Sequence, residues 1–277
     1  MKVLKAIVDF YLNSSIHVAL AVYAFTWITL LQFGLNYDES VLYFVFFATI
    51  TGYNFVKYFG VAKFHHRSLA GWLKAIQIFS LLAFVAMCYY AFQLNLKTLI
   101  YLSVFGLITF LYAVPLLPMS YFRDSQMNLR EISGLKIYVI AFVWAFTTVL
   151  LPLIELGVAI DTDVIITTVQ RFILVIVLML PFEIRDLNFD SLKLGTIPQK
   201  IGIKNTKITG VLLLMVFFFL EYFKDEMSAN AILSTLVMVF VTLLFVVFSN
   251  KRQSIYYSAF WVEGLPIMWL VILLVLG

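Results

Sequence analysis

Nine long apolar runs divide this sequence, and they constrain its fold more than any other feature. Each run has about the length, roughly 20 residues, that an α-helix needs to cross the hydrocarbon core of a bilayer. Hydrophobic residues make up 63% of the chain and charged residues only 12%, a composition that a soluble domain of this size does not have. We therefore predict an all-α, polytopic membrane bundle of nine transmembrane helices, forming one domain over residues 1–277. The predicted spans are Ile16–Phe33, Val41–Phe59, Leu73–Phe92, Thr98–Pro118, Ile137–Gly157, Val164–Phe182, Ile208–Tyr222, Ala231–Ser249 and Ser258–Leu276.

The basic residues predict the orientation of this bundle. Sixteen of the 19 Lys and Arg residues fall on one side of the predicted spans, and only Lys97, Arg171 and Lys224 fall on the other. Because cytoplasmic loops carry the excess of Lys and Arg, the N-terminus is predicted in the cytoplasm and the C-terminus outside. An odd number of spans agrees with this, and we expect the plasma (inner) membrane of a bacterium. No dense basic tract is present, so membrane lipids rather than nucleic acid are the expected surroundings.

A charged island directly after the sixth apolar run is the strongest candidate for a functional site. Glu183, Asp186, Asp190 and Lys193 are spaced three, four and three apart, so they share one helix face if the helix continues past Pro181. Ionisable groups at the end of a membrane helix are costly and usually mark a working site. The alternative is a solvated helix end with local salt bridges.

The chemistry of the island favours a metal and a phosphate. Two carboxylates four residues apart, Asp186 and Asp190, supply the hard oxygen ligands that Mg²⁺ takes together with water and substrate phosphates. Lys193 follows one turn later and can contact a phosphate as a point charge. The segment Gly195-Thr196-Ile197-Pro198 is then expected to end the helix and turn the chain.

The order Asp186-x-x-x-Asp190-x-x-Lys193-x-Gly195-Thr196-x-Pro198-x-x-x-Gly202 closely resembles the second aspartate-rich motif of the UbiA-type intramembrane prenyltransferases. This resemblance implies nine transmembrane helices, a cytoplasmic N-terminus and a cavity that faces the cytoplasm. It also implies transfer of an isoprenoid chain from a prenyl diphosphate to an acceptor, with Mg²⁺ bridging the diphosphate to two acidic motifs. Asp186 and Asp190 would then hold Mg²⁺, and Lys193 would contact the phosphate.

The first acidic motif of that family reads N-D-x-x-D-x-x-x-D, and here it has lost its acidic residues. Asn54 is retained and is expected to orient a ligand oxygen, but the three acidic places hold Phe55, Tyr58 and Ala62. Two interpretations of the neighbouring Lys57 stay open. Lys57, with Arg67, neutralises the diphosphate in place of one Mg²⁺. Alternatively, Lys57 forms a salt bridge with Asp186 or Asp190 and closes a degenerate site.

The second cytoplasmic connection supplies two further candidates. Tyr112 begins a Tyr-Ala-Val-Pro segment similar to the tyrosine-proline end of the family's fourth span. Lys136 can guide a diphosphate or simply anchor the next span at the membrane surface. We expect the polar ends of spans two and six to face each other across one cavity, because both lie on the cytoplasmic side.

Three functions follow, in order of preference. The first is prenyl transfer that begins with ionisation of the C1–O bond of a prenyl diphosphate. The second is a non-catalytic relative that binds an isoprenoid lipid or scaffolds another membrane enzyme. The third is a transporter, which the scarcity of charge deep in most spans disfavours.

Overall fold

The structure, a computed structural model, describes residues 2–58, 71–113, 134–188, 195–225 and 228–276. Within these ranges the chain is helical, and no strand is present. The helices are α1 (Lys2–Asn13), α2 (Ile16–Gln32), α3 (Glu39–Tyr58), α4 (Gly71–Ala91), α5 (Leu96–Ala113), α6 (Leu135–Glu155), α7 (Thr162–Asp186), α8 (Ile197–Phe223), α9 (Ala229–Phe248) and α10 (Tyr257–Leu276).

These helices make the chain an integral, multi-pass membrane protein. Seven of the described helices are individually long and apolar enough to cross a bilayer, and the bent pair formed by α1 and α2 raises the number to eight. Helix α5 coincides with the remaining apolar run, and its described apolar part, Leu96–Leu107, is shorter than a full span. Each of the nine predicted runs therefore lies on a helix, but nine complete crossings are not confirmed.

Helix α1 is an element that the hydropathy pattern does not reveal. It is separated from α2 by a bend of 58° at Ser14-Ser15, where Ser15 adopts the left-handed conformation with φ 64°. Lys5, Asp9 and Asn13 repeat every four residues on one face of α1. A short helix with one polar face suits the membrane interface rather than the hydrocarbon core.

Helix α7 forms the centre of the bundle, because it packs against α6, α8, α9 and the start of α10. Its hydrogen-bonded helix continues past Pro181, as predicted, but ends at Asp186. Only Glu183 and Asp186 of the charged island therefore lie on it. Asp161 begins it by accepting a hydrogen bond from the Val164 N–H, which satisfies one of the free N–H groups at a helix N-terminus.

The structure corrects the predicted position of Arg171. The sequence analysis placed Arg171 among the residues outside the membrane, but it lies within α7 with only 2% of its surface exposed. Its guanidinium donates to the Phe25 carbonyl (2.9 Å) and to Thr29 Oγ1 (3.3 Å) and stacks 4.1 Å above the Phe25 ring. These contacts satisfy part of its donor set and join α7 to α2.

The role predicted for the segment Gly195–Pro198 is also corrected. Helix α7 has ended earlier, at Asp186, and this segment begins α8. Gln199 Oε1 accepts a hydrogen bond from the Thr196 N–H at 3.0 Å, which is one half of a capping box. Pro198 occupies the first turn, where its missing N–H costs nothing. Glu183 adds to this cap by accepting a hydrogen bond from the Ile197 N–H at 3.1 Å.

Candidate functional site

A cavity of about 1450 Å³ opens between the helices α1 to α7 and α10, with Val22 contributed by α2. Its apolar wall comes from side chains at helical spacing, such as Val175, Leu178 and Phe182 on α7 and Val143 and Trp144 on α6. The remaining two long helices, α8 and α9, contribute no described residue to this wall. An elongated apolar ligand therefore has room here.

One end of the cavity is charged. Seven ionisable side chains and a tyrosine line it, at the end of α3, the start of α6, the end of α7 and the start of α10, with α1 beside them. Because these helices alternate in direction, those ends meet at one face of the bundle. The residues are Lys5, Asp9, Lys57, Lys136, Arg185, Asp186, Tyr256 and Glu263.

The predicted pairing of span two with span six across one cavity is confirmed. Lys57 at the end of α3 and Asp186 at the end of α7 both lie in the cavity wall, and so does Lys136 at the start of α6. Three of the predicted site residues therefore come together. The alternation of helix directions was sufficient to predict this.

Asp186 is bound to its neighbour Arg185. The Arg185 guanidinium donates from Nε to Oδ1 (2.7 Å) and from Nη2 to Oδ2 (3.0 Å), so both carboxylate oxygens accept a hydrogen bond. Arg185 also donates to Ser258 Oγ at 2.7 Å, which ties the end of α7 to α10. The partly exposed pair leaves Asp186 in the wall, where it must give up hydrogen bonds to Arg185 before both oxygens can bind a metal.

Lys57 does not form the salt bridge with Asp186 that one interpretation predicts. Its ammonium donates instead to Ser15 Oγ at 2.9 Å, and the side chain is exposed to the cavity. Glu263, on α10, faces the same space. A neutral hydroxyl satisfies one of the three ammonium donors but does not compensate the charge.

Asn54 lies behind the cavity wall and not in it. Its side chain is 3% exposed, accepts a hydrogen bond from Ser15 Oγ (2.8 Å) and donates to the Ser14 carbonyl (3.0 Å) and Ser80 Oγ (2.8 Å). These bonds hold the bend between α1 and α2 against α3 and α4. In this structure Asn54 positions helices, and its predicted contact with a ligand oxygen would require these bonds to change.

The other predicted residues lie beyond what the structure describes. Asp190, Lys193 and Arg67 fall outside the described ranges, and the side chain of Tyr112, which lies on α5, does as well. Among the residues that are described, no group of three or more His, Cys, Asp or Glu side chains could hold a metal ion. The magnesium prediction therefore continues to rest on the motif resemblance at residues 186–202.

The sequence analysis missed five residues at the charged end as site residues: Lys5, Asp9, Arg185, Tyr256 and Glu263. Tyr256 donates from its hydroxyl to Asp9 Oδ1 at 2.8 Å, and this hydrogen bond raises the pKa of Tyr256 because it favours the protonated phenol. The polar spacing of α1 is a signal that could have pointed to Lys5 and Asp9. Glu263 carries no such signal, since it is a lone acidic residue at the start of an apolar run.

Comparison with solved structures identifies the architecture. The chain superposes on the structure of a digeranylgeranylglyceryl phosphate synthase in membranes, with a TM-score of 0.56, over 100% of this chain and 97% of that one. This is a prenyltransferase-like fold. The identity is 15%, so the likeness concerns the fold alone. No protein-family model and no curated protein matches the sequence.

Proposed function

We propose that this protein is a UbiA-like membrane prenyltransferase that transfers an isoprenyl chain from a prenyl diphosphate to an acceptor. The observation that carries the proposal is the cavity, which joins a long apolar wall to a cationic end within a prenyltransferase-like fold. An isoprenoid tail would lie along the apolar wall and the diphosphate would lie at the charged end. The proposal includes nine membrane crossings with the charged end in the cytoplasm, as the distribution of Lys and Arg favours.

The cavity residues fit the first chemical step of such a transfer. The C1–O bond of the prenyl diphosphate breaks, the electron pair leaves with the diphosphate, and positive charge develops on the allylic carbon. Lys57, Lys136 and Arg185 would stabilise the leaving anion electrostatically. Trp144 and Phe182 line the same cavity, and an aromatic ring there would stabilise the developing cation by cation–π attraction. The acceptor then bonds to C1 and releases a proton.

The motif residues complete the proposal. Asp186 and Asp190 would hold Mg²⁺ and Lys193 would contact a phosphate oxygen; when bound, Mg²⁺ would offset the charge of the leaving diphosphate. Asp186 can take this role once its carboxylate no longer accepts the two hydrogen bonds from the Arg185 guanidinium. A non-catalytic relative that binds an isoprenoid lipid is the second candidate, and the loss of the acidic residues from the first motif favours it.

A thermal-shift experiment on the purified protein in detergent tests the proposal. We expect prenyl diphosphates to raise the midpoint of unfolding, with product detectable by mass spectrometry when an acceptor mixture from membranes is added. Asp186→Asn should abolish the Mg²⁺-dependent part of this shift and leave the unliganded protein folded, because the change removes charge but little volume. Stabilisation without any product would favour the non-catalytic relative, and the absence of stabilisation by every prenyl diphosphate would contradict both.

A further inference from the structure

The first acidic motif has no acidic replacement on helix α3. The positions where the family carries its first two acidic residues hold Phe55 and Tyr58, and the Tyr58 hydroxyl donates to the Asn13 carbonyl at 2.9 Å. Phe55 lines the cavity as an apolar side chain, and the ionisable group that α3 brings to the charged end is the Lys57 ammonium. Helix α3 therefore offers a cation at the place where metal binding needs carboxylates.

The carboxylates that do reach the charged end are largely engaged. Asp186 is bonded through both oxygens to Arg185, and Asp9 accepts from Tyr256. Only Glu263 has no hydrogen-bond partner among the residues that the structure describes. Among the residues that the structure describes, four cationic side chains line the charged end beside these three carboxylates, which is an excess of one positive charge.

Two cations at this end are not neutralised by a direct ion pair within the described ranges. Lys57 donates to the neutral Ser15 hydroxyl, and Lys136, in the first turn of α6, has no described hydrogen bond or ion pair. They belong to different helices, α3 and α6, and both line the same cavity. Glu263 attracts the Lys57 ammonium electrostatically but forms no ion pair with it. An ammonium that lines a cavity without a carboxylate in ion-pair contact can still bind the anion of a ligand as a point charge.

We propose that Lys57, together with Lys136, binds the anionic headgroup directly and takes the place of the metal ion that an acidic first motif would hold. The inference rests on the proposed function, since it concerns how the same cavity holds a prenyl diphosphate. On the α3 side the headgroup is held by ammonium contacts, so any Mg²⁺ is confined to the side of Asp186. Binding of the diphosphate then persists when divalent cations are removed.

The test measures affinity with the S-thiolo analogue of geranylgeranyl diphosphate, whose C1–S bond ionises slowly, on the full-length protein in detergent with EDTA. Lys57→Gln is the informative variant, because the amide can still donate to Ser15 while the charge is lost. We expect wild-type protein to bind in EDTA and Lys57→Gln to bind ~10–100-fold more weakly, the range for loss of one charge-assisted contact. Lys136→Gln should act in the same direction.

Matched controls separate charge from fold. Lys97→Gln, on an exposed residue remote from the charged end, should leave the affinity unchanged, and geranylgeraniol, which has no headgroup charge, should bind all three variants alike. Loss of wild-type binding in EDTA overturns the inference but leaves the proposed function standing if Mg²⁺ restores it. The inference is also overturned if the wild-type protein binds in EDTA and neither Lys57→Gln nor Lys136→Gln weakens that binding. If no prenyl diphosphate binds under either condition, the proposed function itself fails.

Discussion

The side-chain amide of Asn54 makes three hydrogen bonds beside the cavity. Through Ser14, Ser15 and Ser80 it connects the bend between α1 and α2 to α3 and α4. Ser15 in turn receives the Lys57 ammonium. A residue that the sequence motif associates with the ligand thus acts here by holding Lys57 and α1 in position.

Replacing Asn54 by Ala should destabilise the protein without removing a ligand contact. The change removes the described donor to the Ser14 carbonyl and one hydrogen bond each from the hydroxyls of Ser15 and Ser80. A buried polar group left unsatisfied costs about 1–3 kcal/mol. We expect a lower midpoint of thermal unfolding in detergent than for Asn230→Ala, whose amide is exposed and bonded to the Leu276 carbonyl. Equal midpoints for the two variants would mean that the hydrogen bonds around Asn54 contribute nothing to stability.

At the scale of helices, the π-helical turn at the start of α10 packs closely against His17 of α2. Residues 257–262 form a π-helical turn, and the Phe260 carbonyl accepts from both the Gly264 N–H (3.0 Å) and His17 Nε2 (2.8 Å). Because a carbonyl only accepts, His17 carries its proton on Nε2 and its Nδ1 accepts from the Tyr11 hydroxyl. π-Helical turns often occur at functional sites, and this one precedes Glu263.

Gly264→Ala should disrupt this turn. A Cβ atom at Gly264 would lie 2.7 Å from the Phe260 carbonyl oxygen and 3.3 Å from the His17 ring, and the carbonyl cannot move without breaking its hydrogen bonds. We expect a loss of about 1–3 kcal/mol in unfolding free energy, typical of overpacking. Gly106→Ala is the control, because nothing lies within 4 Å of its Cβ and alanine favours a helix. If Gly264→Ala is as stable as Gly106→Ala, the packing described here is wrong.

The helices differ in how well the sequence predicts them. Spans such as α7 and α9 follow directly from uninterrupted apolar runs, because hydrophobic length alone decides whether a segment crosses a bilayer. Helix α1 is not detected by hydrophobic length, because its apolar residues lie on one face and its polar residues on another, so no uninterrupted apolar run appears in its sequence. Arg171 was counted among the residues outside the membrane, although it lies within the predicted span Val164–Phe182. Its contacts with Phe25 and Thr29, which stabilise it inside the bundle, depend on packing between distant residues.

The residues of the candidate site also differ in how well the sequence predicts their positions and contacts. Lys57, Lys136 and Asp186 could be brought to one cavity from helix direction alone, since that inference needs only topology. The partners of Asp186 and Asn54 could not be predicted, because they depend on side-chain packing between residues distant in sequence, such as Arg185 with Ser258. The position of Glu263 in the site could not be predicted, because a uniformly apolar helix such as α10 does not indicate which of its faces is turned toward the cavity.

For the whole molecule, the proposed orientation predicts which loops are accessible from outside. Replacing Cys88, the only cysteine, by Ala gives a background in which single cysteines can be introduced. A membrane-impermeant maleimide should label Lys97→Cys in intact cells and should label Arg252→Cys only after permeabilisation, because the positive-inside rule places Arg252 in the cytoplasm. The reverse labelling pattern would show that the bundle has the opposite orientation, with the charged end of the cavity outside.

The central claim is that an isoprenoid tail lies in the cavity with its diphosphate at the charged end, and photo-crosslinking tests it most directly. A geranylgeranyl diphosphate analogue with a diazirine at the end of its tail is irradiated with the protein, and the labelled residues are read by mass spectrometry. We predict labels on cavity-lining residues such as Val143, Val175 and Leu178, and competition by unlabelled diphosphate. Labels confined to the lipid-facing residues of α8 and α9, such as Met215 and Phe240, without competition would contradict the account.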